Sequence, residues 1–196
     1  MINITEKHNI LGNLTLALQM LESCPQFVPL IPEVRVNLVY ALPDAQSSQA
    51  VAAIEGRITA VQGRPYASGR PLFGASDHMA RLILEVRRYV PGINAGINFR
   101  CDSQIIEVVK NYCRDKRLLF GWIDRSLEPE PVSAIDRNSM PWKIAQLMSR
   151  YGAIPRLFYE GAGWGKEPLF VALGRDAVEV TRIAIDIARI YAGPCR

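Results

Sequence analysis

The stretch Phe73-Gly74-Ala75-Ser76-Asp77-His78-Met79-Ala80-Arg81 gathers residue types suited to holding an anion. Gly74 and Ser76 close a loop, and Met79, Leu82, Ile83 and Val86 then recur at helical spacing. Ser76 is expected as the N-cap, because its hydroxyl can accept a bond from an unpaired first-turn N–H. Asp77 follows where the helix dipole favours negative charge. His78 lands beside backbone N–H groups that lack intrahelical partners, a ready site for an anion. An ordinary capped helix with one exposed histidine would carry the same residues, so the stretch decides nothing alone. Two further loops join glycine to a cation: Glu55-Gly56-Arg57 and Gly161-Ala162-Gly163-Trp164-Gly165-Lys166. Glycine lets backbone approach a ligand closely. Arginine gives bidentate bonds to phosphate oxygens, and lysine a compact point charge. Together the three loops suggest a ligand with two phosphate-bearing ends. Neither a Walker loop nor a dinucleotide fingerprint is present. His8 and His78 are the only histidines, and no motif sets a nucleophile beside His78, which argues against covalent hydrolase chemistry.

The elements that must position these loops follow from periodicity. A helix is expected from about Thr5 to Cys24, with Leu11, Leu14, Leu18 and Leu21 on one stripe. Pro25, Pro29 and Pro32 break the chain, and Val34 to Leu42 alternates as a strand. Arg57 to Val61 and the reversal Gln62-Gly63-Arg64-Pro65 predict a hairpin ending near Tyr66. Gly69-Arg70-Pro71 leads to the central helix, Asp77 to Tyr89. A strand follows at 93–100, then a helix capped by Ser103 and running to about Arg114, then a short strand at 118–123. Asp124-Arg125 sits at the carboxyl end of that strand, where α/β sheets place functional groups. Glu128-Pro129-Glu130-Pro131 is either a solvated connection or a lid. Pro141 opens a helix at its favoured first-turn position, running to about Tyr151. Strands at 154–159 and 169–173 flank the second glycine-rich loop, and 176–191 is a final apolar-striped helix. Mixed strands and helices make the class α/β, and the hairpin argues against a purely parallel sheet.

Composition narrows the function classes. The chain has 196 residues, 49% hydrophobic and 21% charged, which suits one globular domain with a real core. A net charge of +4 fits anionic substrates but is too small and scattered to argue for nucleic acid. Cys24, Cys101, Cys113 and Cys195 form no CxxC pair, so a structural zinc site is not expected. No signal peptide or membrane-length apolar run is visible. Free thiols in a reducing cytoplasm are the simplest account.

Several segments in register carry a resemblance. Ile31-Pro32-Glu33-Val34 with Asn37-Leu38-Val39-Tyr40-Ala41-Leu42-Pro43, Glu55-Gly56-Arg57-Ile58 and the Gly74–Arg81 segment come first. Asn98-Phe99-Arg100, Phe120 to Arg125, Met140-Pro141-Trp142 and Trp164-Gly165-Lys166-Glu167-Pro168 continue in the same order. Over residues 30–174 the chain resembles the ThiN-type thiamine-phosphate synthase domain. The resemblance implies a single domain with a three-layer α/β/α fold and a mixed sheet, similar to the class II aldolase (AraD-like) architecture. It implies that hydroxymethylpyrimidine pyrophosphate is joined to hydroxyethylthiazole phosphate, giving thiamine phosphate and pyrophosphate.

The family's key arginine and histidine match Arg57 and His78, which the resemblance assigns to the leaving pyrophosphate. Ser76 and Asp77 stand beside them, and Lys166 with Gly165 is expected at the second phosphate. Asp124 is expected to hold the aminopyrimidine or a metal, and Trp164 to stack on a ring or to serve as core. Asn37, Gly74, Arg81, Asn98, Arg100 and Arg125 complete the expected substrate-binding set. Mg²⁺ bridging the pyrophosphate is the expected cofactor, with no protein ligands assigned. The implied partners are the phosphorylated pyrimidine and thiazole, not nucleic acid or membrane, with room for a homodimer. Some ThiN-like domains instead sit behind a helix-turn-helix and sense thiamine phosphates. One helix before the domain is too little for such a module, and Arg57 and His78 are kept. A metal-dependent lyase would need a histidine cluster that two histidines cannot supply.

Overall fold

The computed structural model describes residues 4–129, 136–163 and 167–193. The leucine stripe at the start forms α1 (Ile4–Glu22), which buries Ile10, Leu14, Leu18 and Leu21. Pro25 then opens a 3-10 turn, Pro25–Leu30, that buries Phe27 and Leu30. The described strands are β1 (Leu38–Ala41), β2 (Val51–Ile54), β3 (Ile58–Val61), β4 (Arg64–Ala67), β5 (Pro71–Phe73), β6 (Ala95–Arg100), β7 (Phe120–Ile123), β8 (Leu157–Glu160) and β9 (Leu169–Gly174). The other described helices are α2 (His78–Arg87), α3 (Ser103–Asp115), α4 (Asp136–Tyr151) and α5 (Ala177–Ala192).

Seven strands form one sheet in the order β5-β2-β1-β6-β9-β8-β7. Neighbours run antiparallel except the parallel pair β7 and β8, so the sheet is mixed. The expected hairpin is β3–β4, a separate two-stranded ribbon with Val61 opposite Arg64. Its two-residue turn puts both Gln62 and Gly63 at positive φ, the geometry that matches strand twist.

Two small residues reveal the layers. A Cβ on Gly96 would strike Ile83 and Met79 of α2, while one on Gly174 would strike Val180 of α5. Gly174 faces Ala95 across the β6–β9 ladder, and Ala95 and Gly96 point to opposite faces. So α2, with α4 packed on it, covers one face; α5, with α1 and α3 packed on it, covers the other. This is the expected three-layer α/β/α arrangement. On the α5 side, Phe99, Phe170, Tyr159 and Trp122 occupy paired positions across four strands, the first and last pairs stacked at 5.2 and 6.1 Å and the middle pair edge-on at 5.5 Å.

Five local expectations change. The strand expected from Val34 begins only at Leu38, because Arg35 takes a φ of 67° that interrupts extended backbone. β5 occupies residues expected only as a lead into α2, its three residues pairing with β2. Ser76 is not the N-cap of α2: it is buried, its hydroxyl taken by Asn37, and Asp77 stands at the cap but makes no side-chain capping bond. Likewise Asp102, not Ser103, caps α3, accepting the Ile105 N–H at 2.9 Å. α4 starts at Asp136, so Pro141 lies inside the helix rather than at its start, where it removes one backbone bond.

Candidate active site

One end of the sheet, on the α2 side, carries a cavity of about 420 Å³. Its floor comes from paired positions on neighbouring strands. Asn98 on β6 faces Val171 on β9, and Leu169 on β9 faces Glu160, the last residue of β8. Asn37, just before β1, adjoins Asn98: its N–H bonds Asn98 Oδ1 at 2.6 Å. Asn37 Nδ2 donates to Ser76 Oγ at 2.9 Å, tying the floor to the loop before α2. Asn37 Oδ1 is buried with no partner among the described residues.

The rim carries the charge. Arg57 comes from the β2–β3 turn, His78 from the first residue of α2, and Arg125 from the turn after β7. Arg57 holds a φ of 69°, unfavourable for a side chain larger than glycine, and donates Nη1 to the Val34 carbonyl at 2.5 Å. Glu167 accepts the N–H groups of Glu33 and Val34 at 3.3 and 2.7 Å. The segment before β1 is thus pinned between Arg57 and Glu167. Arg125 is buried and donates through Nε and Nη2 to Glu128 Oε2 at 3.2 and 2.9 Å. Ser139 donates to the other oxygen of Glu128. Burial alone would raise the Glu128 carboxyl, but the Ser139 hydroxyl and the Arg125 guanidinium hold it below the usual carboxylate range. So Glu128 is no solvated loop residue; positions 130–135 of that acidic stretch lie outside the described residues.

Three charged residues that line or support the cavity, Lys143, Glu160 and Glu167, escaped sequence reasoning. Lys143 of α4 is fully buried, and its Nζ donates to Glu160 Oε2 at 2.5 Å. The available signal was positional: Met140, Lys143 and Leu147 share the buried stripe of α4, so the lysine stands where an apolar residue belongs. Glu167 gave no such signal.

Of the expected site residues, Asn37, Arg57, His78, Asn98 and Arg125 converge on the cavity. The other described ones do not line it. Gly74 has a φ of 78°, and a Cβ there would meet Gln49 at 2.5 Å; it shapes the loop. Asp77 pairs with Arg81 at 2.8 Å one helical turn on. Arg100 pairs with Asp102 at 2.7 Å. Asp124 caps the turn Arg125–Leu127, accepting from the N–H and hydroxyl of Ser126. Trp164, Gly165 and Lys166 lie outside the described residues. The described part of that loop has a tight fit: a Cβ on Gly163 would come within 2.9 Å of the Arg125 guanidinium. A second, shallower groove of about 530 Å³ lies across α5. There Glu179 pairs with Arg156 at 3.0 Å and with Arg175 at 3.5 Å, so charge is balanced within the surface.

The match to known proteins is extensive. A family model described as thiamine-phosphate synthase ThiN covers residues 13–186. The chain belongs to the thiamine-phosphate synthase ThiN family. Thiamine-phosphate synthase ThiN of Methanothermobacter thermautotrophicus is 40% identical over 179 residues, covering 91% of this chain and 92% of that protein. The bifunctional thiamine biosynthesis protein ThiDN of Methanocaldococcus jannaschii is 34% identical over 94% of this chain, which spans 42% of that longer protein. A crystal structure of the C-terminal domain of a phosphomethylpyrimidine kinase superposes with a TM-score of 0.87 at 36% identity, over 94% of this chain and all of that one. Membership makes this ThiN chain an enzyme of thiamine biosynthesis. No described helix is long and apolar enough to cross a membrane.

Proposed function

We propose that the enzyme condenses hydroxymethylpyrimidine pyrophosphate with hydroxyethylthiazole phosphate in the cavity at the sheet end. The observation that carries this reading is the convergence of Arg57, His78 and Arg125, from three separate segments, on one cavity with a partly apolar floor. The aminopyrimidine can push electrons toward its methylene carbon, so the C–O bond to pyrophosphate breaks first and the electron pair leaves with the pyrophosphate. The thiazole nitrogen then donates its lone pair to the methylene carbon. Such a reaction asks for stabilised charge on the leaving group and for two rings held in line. Arg57 and His78 take the leaving pyrophosphate. Arg125, held in place by its ion pair with Glu128, stands at the same rim. Leu169, Val171 and Met79 offer apolar surface to a ring.

A resident metal does not fit the donor set. No group of three or more His, Cys, Asp or Glu able to hold an ion occurs among the described residues. Both lining carboxylates are already engaged, Glu160 by Lys143 and Glu167 by two backbone N–H groups. Mg²⁺ therefore enters as a partner of the pyrophosphate substrate, not as a group held by protein. Incubating the pure protein with both substrates and Mg²⁺ tests the reading: thiamine phosphate should form, and binding of thiamine phosphate without its formation would favour a sensor instead.

A further inference from the structure

The floor and the rim of the cavity have opposite electrical character. Three basic side chains stand at the rim, while Glu160 and Asn37 line the floor, Asn37 with a buried Oδ1 that has no partner among the described residues. Asn37 is 5% exposed, and its amide is already committed through Nδ2 to Ser76. A buried acceptor left unpaired is costly, and a ligand N–H group would remove that cost. Lys143, fully buried, is spent on Glu160, so it fixes the carboxylate charge without lending the floor a positive surface. A phosphate placed on this floor would face a carboxylate; an amino group would face two acceptors. Resting on the coupling reaction proposed above, we propose that Asn37 Oδ1 and the Glu160 carboxylate are the ring-binding end of the cavity and accept N–H bonds from the exocyclic amino group of the pyrimidine.

This arrangement also serves the bond-breaking step. As the methylene C–O bond breaks and its electron pair departs with pyrophosphate, positive charge spreads through the ring onto the amino nitrogen. The amino N–H becomes a stronger donor, so its bonds to Asn37 and Glu160 strengthen most when the charge peaks. Bonding of the thiazole nitrogen to the methylene carbon moves that charge onto the thiazolium.

The test compares the aminopyrimidine monophosphate with its counterpart lacking the amino group, titrated calorimetrically into the wild-type protein. The wild type should prefer the amino compound about tenfold, the typical worth of one buried hydrogen bond. Asn37→Leu should erase that preference, while Asn37→Asp, which offers only acceptors to the cavity, should keep it. Glu160→Gln combined with Lys143→Met, which leaves no buried ammonium unpaired, retains an acceptor but not the charge, so it should bind the amino compound nearly as well and turn over about 100-fold more slowly. If Asn37→Leu does not fold, the wild-type preference and the aspartate variant still decide. Equal wild-type affinity for the two compounds, or a preference lost in Asn37→Asp, overturns the inference even where coupling is intact. Failure of the wild type to make thiamine phosphate from both substrates overturns the coupling reaction itself, a result read independently of the titration.

Discussion

Arg57 and His78 are the residues proposed to take the leaving pyrophosphate. Their interactions with departing pyrophosphate grow in the transition state, so they should appear in the turnover rate. Arg57→Ala and His78→Ala should each lose about 10²–10³-fold in turnover and stay folded. Alanine at position 57 also removes the bond to the Val34 carbonyl, so stability is read beside turnover. Arg57→Lys should recover only part, because a point charge does not replace a fork. Kinetics and melting curves on the same proteins check this, and near-normal turnover in both alanine variants would remove the assignment. Glu128 gives a pH dependence with a definite sign. Its carboxyl is held below the unfolded value, so its contribution is present above that value and is lost as pH falls through the depressed one. Glu128→Gln should therefore flatten the acid limb of stability, measured as melting temperature between pH 6 and pH 3; an unchanged slope would contradict it. At this scale the sequence was half legible. Arg57 and His78 are visible because glycine and a helix start frame them. Glu160 looks like any strand-end acid until Lys143, seventeen positions earlier, folds onto it.

The elements were legible wherever periodicity had room to speak. The leucine stripe of α1, the turn Gln62-Gly63 and the apolar run of α5 all gave elements close to those found. The departures share one cause, a tertiary bond or a neighbour overriding a local preference. Ser76 has the right chemistry for a cap but is used by Asn37 across the sheet end. β5 is three residues long and begins with proline, so only its pairing with β2 defines it. Pro141 has a first-turn preference, yet α4 extends five residues before it. The cap of α3 offers a direct check. Asp102→Ala should cost about 1 kcal/mol of stability, while Ser103→Ala should cost almost nothing. Denaturant midpoints of the two variants decide it, and the reverse ranking would return the cap to Ser103.

As a whole the molecule is a sheet held between two helical layers, with its reactive end built from residues far apart in sequence. A fold of this kind owes its stability to burial, with Phe27, Phe99, Phe158 and Phe170 all enclosed. If Mg²⁺ enters with the pyrophosphate, as proposed, excess EDTA should leave the melting temperature unchanged while turnover stops. Full turnover in verified metal-free protein would contradict that role. The bonds from Glu33 and Val34 to Glu167 join positions more than 130 residues apart. Because Val34 itself is exposed, solvent is near its amide, and the carboxylate is what occupies that hydrogen. The deuterium exchange rate of the Val34 amide thus becomes a clock for the docking of Glu167: slow in the wild type, fast in Glu167→Ala, and slower still if substrate holds that junction shut. One amide signal could in this way report, without any assay of product, how often the reactive end of the molecule comes apart.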